Sequence, residues 1–260
     1  MMDQLFVISP WIGYGLSLVI VLIAAQVGYL IGQSWRREHP SESRSDLLTL
    51  EGAGLGLLAL MIGFTFSMAM TRYDNRLVGL LKEANAIGTT ALRADMLPQP
   101  YSSQIKNLLH DYIQIRLDLA RARPSGAALE QAVRSSNALQ QEIWRRAVAV
   151  ATAEPNSIQV GLFVQSVNEM IDLQELRLAA GRNRIPDIVF LLLYGVAATA
   201  VGLSGYVSGL AEGNGRIAVA ILAALIAVVI GLISDFDRSN SGFVTISQQS
   251  LQSLKDSMSR

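Results

Sequence analysis

The stretch GAGLGLLALMIGFTFSMAM, Gly52 to Met70, carries no charge, and TRYDNRLVGLLKEANAIGTTALRADML continues it to Leu97 with no proline before Pro98. Nineteen residues are about the length a helix needs to cross a hydrocarbon core. The second part sets charges at helical spacing, so it must leave lipid and project into water. One helix, or two nearly collinear ones, is expected to span both media over roughly 70 Å at about 1.5 Å per residue. Such a shape suits a conduit or a lever.

The rest of the chain fits around that helix. With 51% hydrophobic and 16% charged residues, it is too apolar for an ordinary soluble domain. Four windows hold most of the apolar residues, at about 11–33, 52–70, 188–210 and 217–233, and each is read as a transmembrane helix. The first is a retained span rather than a signal peptide, because MMDQLF has no basic residue and the apolar run is too long. Tyr14, Tyr29 and Trp35 mark its ends, and its one strongly polar interior residue, Gln26, suits a helix–helix face. Gly195, Ala198, Gly202, Gly205 and Gly209 prepare the third span for close contact. The linker Ser34–Thr49, with Pro40, reads as a surface loop, and Ala211–Arg216 as the turn of an antiparallel hairpin.

Between the second and third windows the sequence is polar and helical. Pro98 and Pro100 break the chain, and Ser102 or Ser103 is placed to cap a helix with the stripe Ile105, Leu108, Leu109, Tyr112, Ile115, Leu119. A second helix, opened by Ser125, presents Leu129, Val133, Leu139, Ile143 and Trp144. A third, capped by Asn156 or Ser157, runs through Phe163, Val167, Met170, Ile171 and Leu178 to Gly181. These predict a helical bundle. The fold class is therefore all-α, a four-span integral membrane protein with a helical bundle inserted between spans 2 and 3. The expected divisions are 1–70 for the first two spans, 71–186 for the bundle, 187–234 for the hairpin and 235–260 for a tail with a helix at Phe243–Met258.

Four spans put both termini on one side. Eight Lys or Arg near the spans on that side (Arg72, Arg76, Lys82, Arg177, Arg182, Arg184, Arg238, Lys255) face four on the other (Arg36, Arg37, Arg44, Arg216). That excess favours cytoplasmic termini and a cytoplasmic bundle in a bacterial inner membrane, although the pair Arg36–Arg37 argues the other way.

Chemistry is sparse. Zero net charge gives no field for nucleic acid. The absence of cysteine removes thiol catalysis and thiolate metal sites. His39 and His110 have no metal-ligand spacing, and no GxSxG, HExxH or Walker pattern occurs. Neither an enzyme nor a cofactor is expected. Gly52, Gly54 and Gly56, inside an apolar span, read as a helix-packing face rather than a phosphate loop.

The segment IGFTFSMAMTRYDN, Ile62–Asn75, resembles the pore helix of bestrophin anion channels, with its Gly-Phe pair, apolar run and Thr-Arg-aromatic exit. Over most of its length the chain is similar to the bacterial bestrophin-like family. The residues carrying that likeness are Lys82–Pro98, LQQEIWRRAV (Leu139–Val148), Val167–Pro186 and DFDRSNSG (Asp235–Gly242). The resemblance implies a homo-pentamer in lipid, conducting inorganic anions such as chloride through a pore lined by the second span. It assigns a neck at i, i+4 and i+8 to Gly56, Leu60 and Phe64, with Met68 extending it; the alternative is that Leu60 and Phe64 are ordinary lipid- or helix-facing side chains. Gly56 departs from the bulky residue usual there. Five Phe64 rings would gate by dewetting or pass anions over their electropositive edges.

Arg72 is a candidate pore-mouth charge, or else an interfacial residue reaching for water. Glu51 would disfavour anions if it faced the pore, or else it suits the helix start. Glu83, Asn85, Thr89, Thr90 and Arg93 are candidates for an aqueous vestibule, or for bonds that fix the bundle. Glu169, Asp172, Glu175, Arg177, Arg182 and Arg184 read as inter-helix contacts or a solvated face. Animal bestrophins hold calcium with an acidic cluster after the last span. Only Asp235 and Asp237 stand in that place here, so calcium is not carried over. A membrane-anchored sensor or scaffold, with residues 71–186 receiving a ligand, is the alternative function.

Overall fold

The computed structural model describes residues 10–38, 45–122, 126–211, 215–238 and 242–258. Eight helices occupy them: α1 (Pro10–Glu38), α2 (Ser45–Ala94), α3 (Tyr101–Ala122), α4 (Gly126–Ala153), α5 (Ile158–Arg182), α6 (Asp187–Leu210), α7 (Gly215–Asp237) and α8 (Gln249–Met258). No strand occurs among the described residues. Four segments, containing α1, α2, α6 and α7, are long and apolar enough to cross a membrane. This is the expected all-α, four-span architecture. His39, Pro40, Arg44, Ser125 and the tip of the 211–216 turn lie outside the described residues.

The chain divides into two units, 1–73 with 184–244, and 74–183 with 245–260. In the first, α1 and α6 run parallel with their backbones nearly touching. A Cβ on Gly28 would lie 1.9 Å from the Gly202 carbonyl oxygen, and one on Gly205 would lie 2.2 Å from that of Ala25. Gly32 against Tyr206 and Gly209 against Tyr29 repeat the arrangement one turn along. Lipid tails are as apolar as leucine, so close packing rather than hydrophobicity drives this association. The small residues of the third span act as expected at Gly202, Gly205 and Gly209, whereas Gly195 meets nothing within 4 Å. Gly231 of α7 makes room for the Tyr14 ring. Val21, Leu58, Ala69, Leu193, Ala197, Val201, Ala223 and Ile230 form this unit's core.

The second unit packs the later half of α2 with α3, α4, α5 and α8 around Ile87, Ile105, Leu109, Ile143, Phe163, Val167, Met170 and Leu251. Ser157 caps α5, accepting the Val160 N–H at 3.4 Å. Neither Ser102 nor Ser103 caps α3, which already begins at Tyr101, and the Ser103 hydroxyl donates to the Pro100 carbonyl. The buried stripe of α3 also differs from expectation in its second half. Ile113, Arg116 and Leu117 go inside, while Ile115 and Leu119 are only half-buried. Arg116 is drawn in by a carboxylate on α2, which turns the buried side of α3 toward it.

Two boundaries also moved. α2 begins at Ser45, inside the expected loop, so Glu51 sits in its second turn and not at its start. The tail helix begins at Gln249 and not at Phe243. Asp235 explains the delay, because its carboxylate accepts the N–H groups of Phe243 at 2.9 Å and Val244 at 3.0 Å. A Cβ on Gly242 would stand 2.1 Å from that carboxylate, so glycine is what permits the approach.

Gly28→Ala or Gly205→Ala is expected to lower the unfolding midpoint of the detergent-solubilised protein, by about 1–3 kcal/mol of overpacking. Gly15→Ala, with nothing within 4 Å, is expected to leave it unchanged or slightly raised. Equal behaviour of the three variants would refute the close-packing account.

Candidate functional site

The rotation of α2 is set by one buried stripe. Leu58, Thr65, Ala69, Arg76, Leu80, Glu83, Ile87, Thr90 and Ala94 recur at helical spacing and are all buried. At about 100° per residue, the opposite side carries Gly56, Leu60, Phe64, Ser67, Thr71, Asp74, Val78, Asn85 and Thr89, and every one is exposed. Leu60 and Phe64 keep 54% and 62% of their surface open, far more than side chains in a core. The face combines two large apolar side chains with small or hydroxylated neighbours, and carries no charge until Asp74. Thr71 folds its hydroxyl back to the Ser67 carbonyl at 2.9 Å, so its methyl group joins the surface.

Of the residues singled out from sequence, Gly56, Leu60, Phe64, Asn85 and Thr89 share this open side. Met68 stands at its edge, partly buried against the core of the first unit. Arg72 lies eight residues after Phe64, about 80° further round the helix. It is half-buried, its Nη1 donates to the Met68 carbonyl at 3.2 Å, and its Nε lies 4.0 Å from the Asp237 carboxylate. Asp237 also accepts the Ile185 N–H at 2.9 Å. The two acidic residues at the end of α7 are thus engaged with the backbone and with Arg72.

Glu83 faces away from the open side and is completely buried. Its Oε1 lies 2.9 Å from Arg116 Nε, and its Oε2 accepts from Arg116 Nη2 at 3.2 Å and from Arg177 Nη1. The Tyr112 hydroxyl has one proton and two acceptors in reach, Glu83 Oε1 at 3.0 Å and Gln174 Oε1 at 2.6 Å. Gln174 donates on to Asn137 at 2.7 Å, and Arg177 to Gln248 at 3.3 Å. Burial pushes the Glu83 carboxyl up, but the two guanidiniums and their hydrogen bonds outweigh it and hold the group below its ordinary range. Burial and the neighbouring carboxylate push the Tyr112 hydroxyl up, so it stays a donor. Thr90 and Arg93 bond to the Ser166 carbonyl at 3.1 Å and the Leu162 carbonyl at 2.7 Å. Glu83, Thr90 and Arg93 therefore tie α2 to α3 and α5. Glu169, Asp172, Glu175 and Arg182 are exposed.

Sequence reasoning did not find the partners Tyr112, Arg116 and Gln174, nor Gln140, whose amide donates to the Tyr112 hydroxyl at 3.4 Å. Arg116 inside an otherwise apolar stripe was the available signal.

This arrangement defines a class, a four-span membrane protein with an exposed face along α2 and an ion-paired helical unit. The sequence matches the family described as Bestrophin-like domain over residues 18–251, and the chain belongs to that family. No curated protein sequence matches it. Among solved structures it is similar to a bacterial bestrophin homologue from Klebsiella pneumoniae, at 13% identity and a TM-score of 0.67, covering 95% of this chain and 96% of that one. A point variant of a bestrophin homologue from Klebsiella pneumoniae gives a TM-score of 0.70 at 11% identity, with 94% and 96% covered. These likenesses concern the fold.

Replacing Glu83 with Gln leaves the buried Arg116 and the half-buried Arg177 guanidiniums without this counter-charge, a loss of roughly 3–5 kcal/mol, read as a lower unfolding midpoint. The folded carboxyl titrates below its ordinary value of 4.5. Its stabilisation is therefore full above that value and lost as pH falls through the lower folded pKa. Acid titration followed by circular dichroism is expected to show that loss in the parent and not in Glu83→Gln. Identical acid profiles would contradict the pairing.

Proposed function

We propose that the chain is one subunit of an oligomeric, passive bestrophin-like ion channel whose pore is lined by the open face of α2. The observation carrying this reading is the alignment of Gly56, Leu60 and Phe64 on one exposed side of a helix whose other side is buried. Subunits arranged about an axis, five in the family pattern, would turn that side toward a shared lumen. Leu60 and Phe64 then form the constriction, Gly56 widens the approach, and Met68 borders the exit. Asn85 and Thr89 face the aqueous part of the path. Exposed apolar residues in the polar unit, among them Leu92 at 72% and Ile158 at 77%, support self-association, since water-facing patches of this kind are commonly interfaces.

Anion conduction is the first reading of selectivity. It rests on family membership and on a lining without carboxylates from Gly56 to Thr71. A specific observation favours cations as the second reading. Asp74 is exposed fourteen residues beyond Leu60, close to four turns, while Arg72 is turned toward Asp237. A ring of carboxylates at a pore mouth attracts cations. The bacterial inner membrane, with termini and helical unit in the cytoplasm, is the setting proposed from the arginine and lysine distribution.

In planar bilayers under a potassium chloride gradient, anion conduction places the reversal potential at the chloride equilibrium value. A reversal at the potassium value that collapses in Asp74→Asn establishes the second reading. Leu60→Ala combined with Phe64→Ala is expected to raise single-channel current, and an unchanged current removes both residues from the constriction.

A further inference from the structure

A cavity of about 260 Å³ lies among α1, α6 and α7, lined by Leu22, Ala25, Gln26, Tyr29, Gly205, Arg216, Val219 and Ala220. All three helices belong to the first unit, and none of the lining residues is on α2. Its chemistry is graded. Arg216, in the first turn of α7, places its guanidinium 5.6 Å from the centre of the Tyr29 ring. Arg216 is exposed, and it pairs with no carboxylate among the described residues. Its neighbour at that end, Arg36, is instead occupied, donating to the Ala211 carbonyl at 2.7 Å.

Gln26 lies three residues inside Tyr29 on α1, and its amide has no hydrogen-bond partner among the described residues. An amide left unpaired in hydrocarbon carries a cost of kilocalories. Beyond it, Leu22, Ala25, Val219 and Ala220 are purely apolar. From Tyr29 to Leu22 the helix descends about 10 Å. A cation, an amide and an apolar floor therefore follow one another with depth.

We propose that this cavity binds the head and upper chain of an anionic phospholipid. The phosphate would pair with Arg216, the amide of Gln26 would bond to glycerol or ester oxygens, and an acyl chain would lie along Leu22 and Val219. The first backbone N–H groups of α7 lack helical acceptors and add positive potential at the phosphate. The volume is slightly below the roughly 300 Å³ at which drug-sized pockets begin. It therefore accepts part of a lipid and leaves the remainder in the bilayer. A free phosphate ion would leave the apolar floor and Gln26 unused.

Native mass spectrometry of the full chain, stripped of lipid in detergent, tests the site with phosphatidylglycerol, phosphatidylcholine and inorganic phosphate as separate probes. The expected result is a preference for phosphatidylglycerol over phosphatidylcholine of about fivefold or more, the scale of one arginine at an anionic lipid. Arg216→Gln removes the preference, Arg216→Lys retains most of it, and Arg37→Gln leaves it intact. Equal binding of the two lipids to the unaltered chain overturns the proposal even if Arg216→Gln fails to assemble. So does an equal loss in Arg37→Gln, which would mean general attraction. Competition by inorganic phosphate at matched concentration would mean a small-anion site. Adducts on the monomer that vanish in the oligomer would mean that a second copy fills the cavity. Lipid binding is independent of conductance, so failure here leaves the channel reading standing.

Discussion

In hydrocarbon no water is available to an open peptide N–H or C=O, so a chain can cross only with its backbone bonds closed on themselves. For α2 this constraint has a second consequence. The helix continues from the uncharged run Gly52–Met70 into a stretch carrying Arg76, Lys82 and Glu83, so one continuous helix must satisfy two solvents. Its length and periodicity then leave rotation as the remaining variable. The buried stripe from Leu58 to Ala94 removes that freedom, with Leu58 and Ala69 in one core and Leu80, Ile87 and Ala91 in the other. Whatever lies opposite the stripe is exposed as a consequence of packing.

The two units hold this stripe by different physics. In the first, glycines let α1 and α6 approach until Gly28 meets Gly202, and dispersion at short range replaces a hydrophobic driving force that lipid cannot supply. In the second, a water-facing bundle has an ordinary apolar core with Glu83, Arg116 and Arg177 inside it. A buried ion pair is often no more stabilising than packed apolar residues, and its value lies in the penalty for any other arrangement. Turning α2 by one residue would strand Glu83 from both guanidiniums. The cluster thus makes the register of α2 against α3 and α5 an all-or-none matter, which a purely apolar stripe of alanine, leucine and isoleucine would leave looser.

Spans and helix order were legible because they depend on local signals. These were uncharged runs of sufficient length, prolines at 98, 124, 155 and 186, a serine cap at Ser157, and small residues on the third span. Pairings remote in the chain were not. Glu83 lies 33 residues from Arg116 and 94 from Arg177, and no periodicity connects them. Ile113 and Leu117 replaced Ile115 and Leu119 on the buried side of α3 for the same reason. The tail was misread because Phe243–Ser247 is compatible with a helix in isolation, while the Asp235 carboxylate captures the N–H groups that would open it. Arg72 illustrates a finer limit. Eight residues are more than two full turns, and the 80° surplus turns a residue from an open face to a flank facing Asp237.

The chain has no native cysteine, which makes one test direct. Single cysteines at Phe64 on the open face of α2 and at Leu191, an exposed position on α6, can be challenged with a charged, water-soluble thiol reagent while ion flux is recorded in liposomes. If the open face of α2 lines a water-filled path, Phe64→Cys is modified and flux falls, while Leu191→Cys remains inert in lipid. If Phe64→Cys conducts and does not react, or if flux responds only to Leu191→Cys, α2 does not line the pore and the account of its open face is wrong.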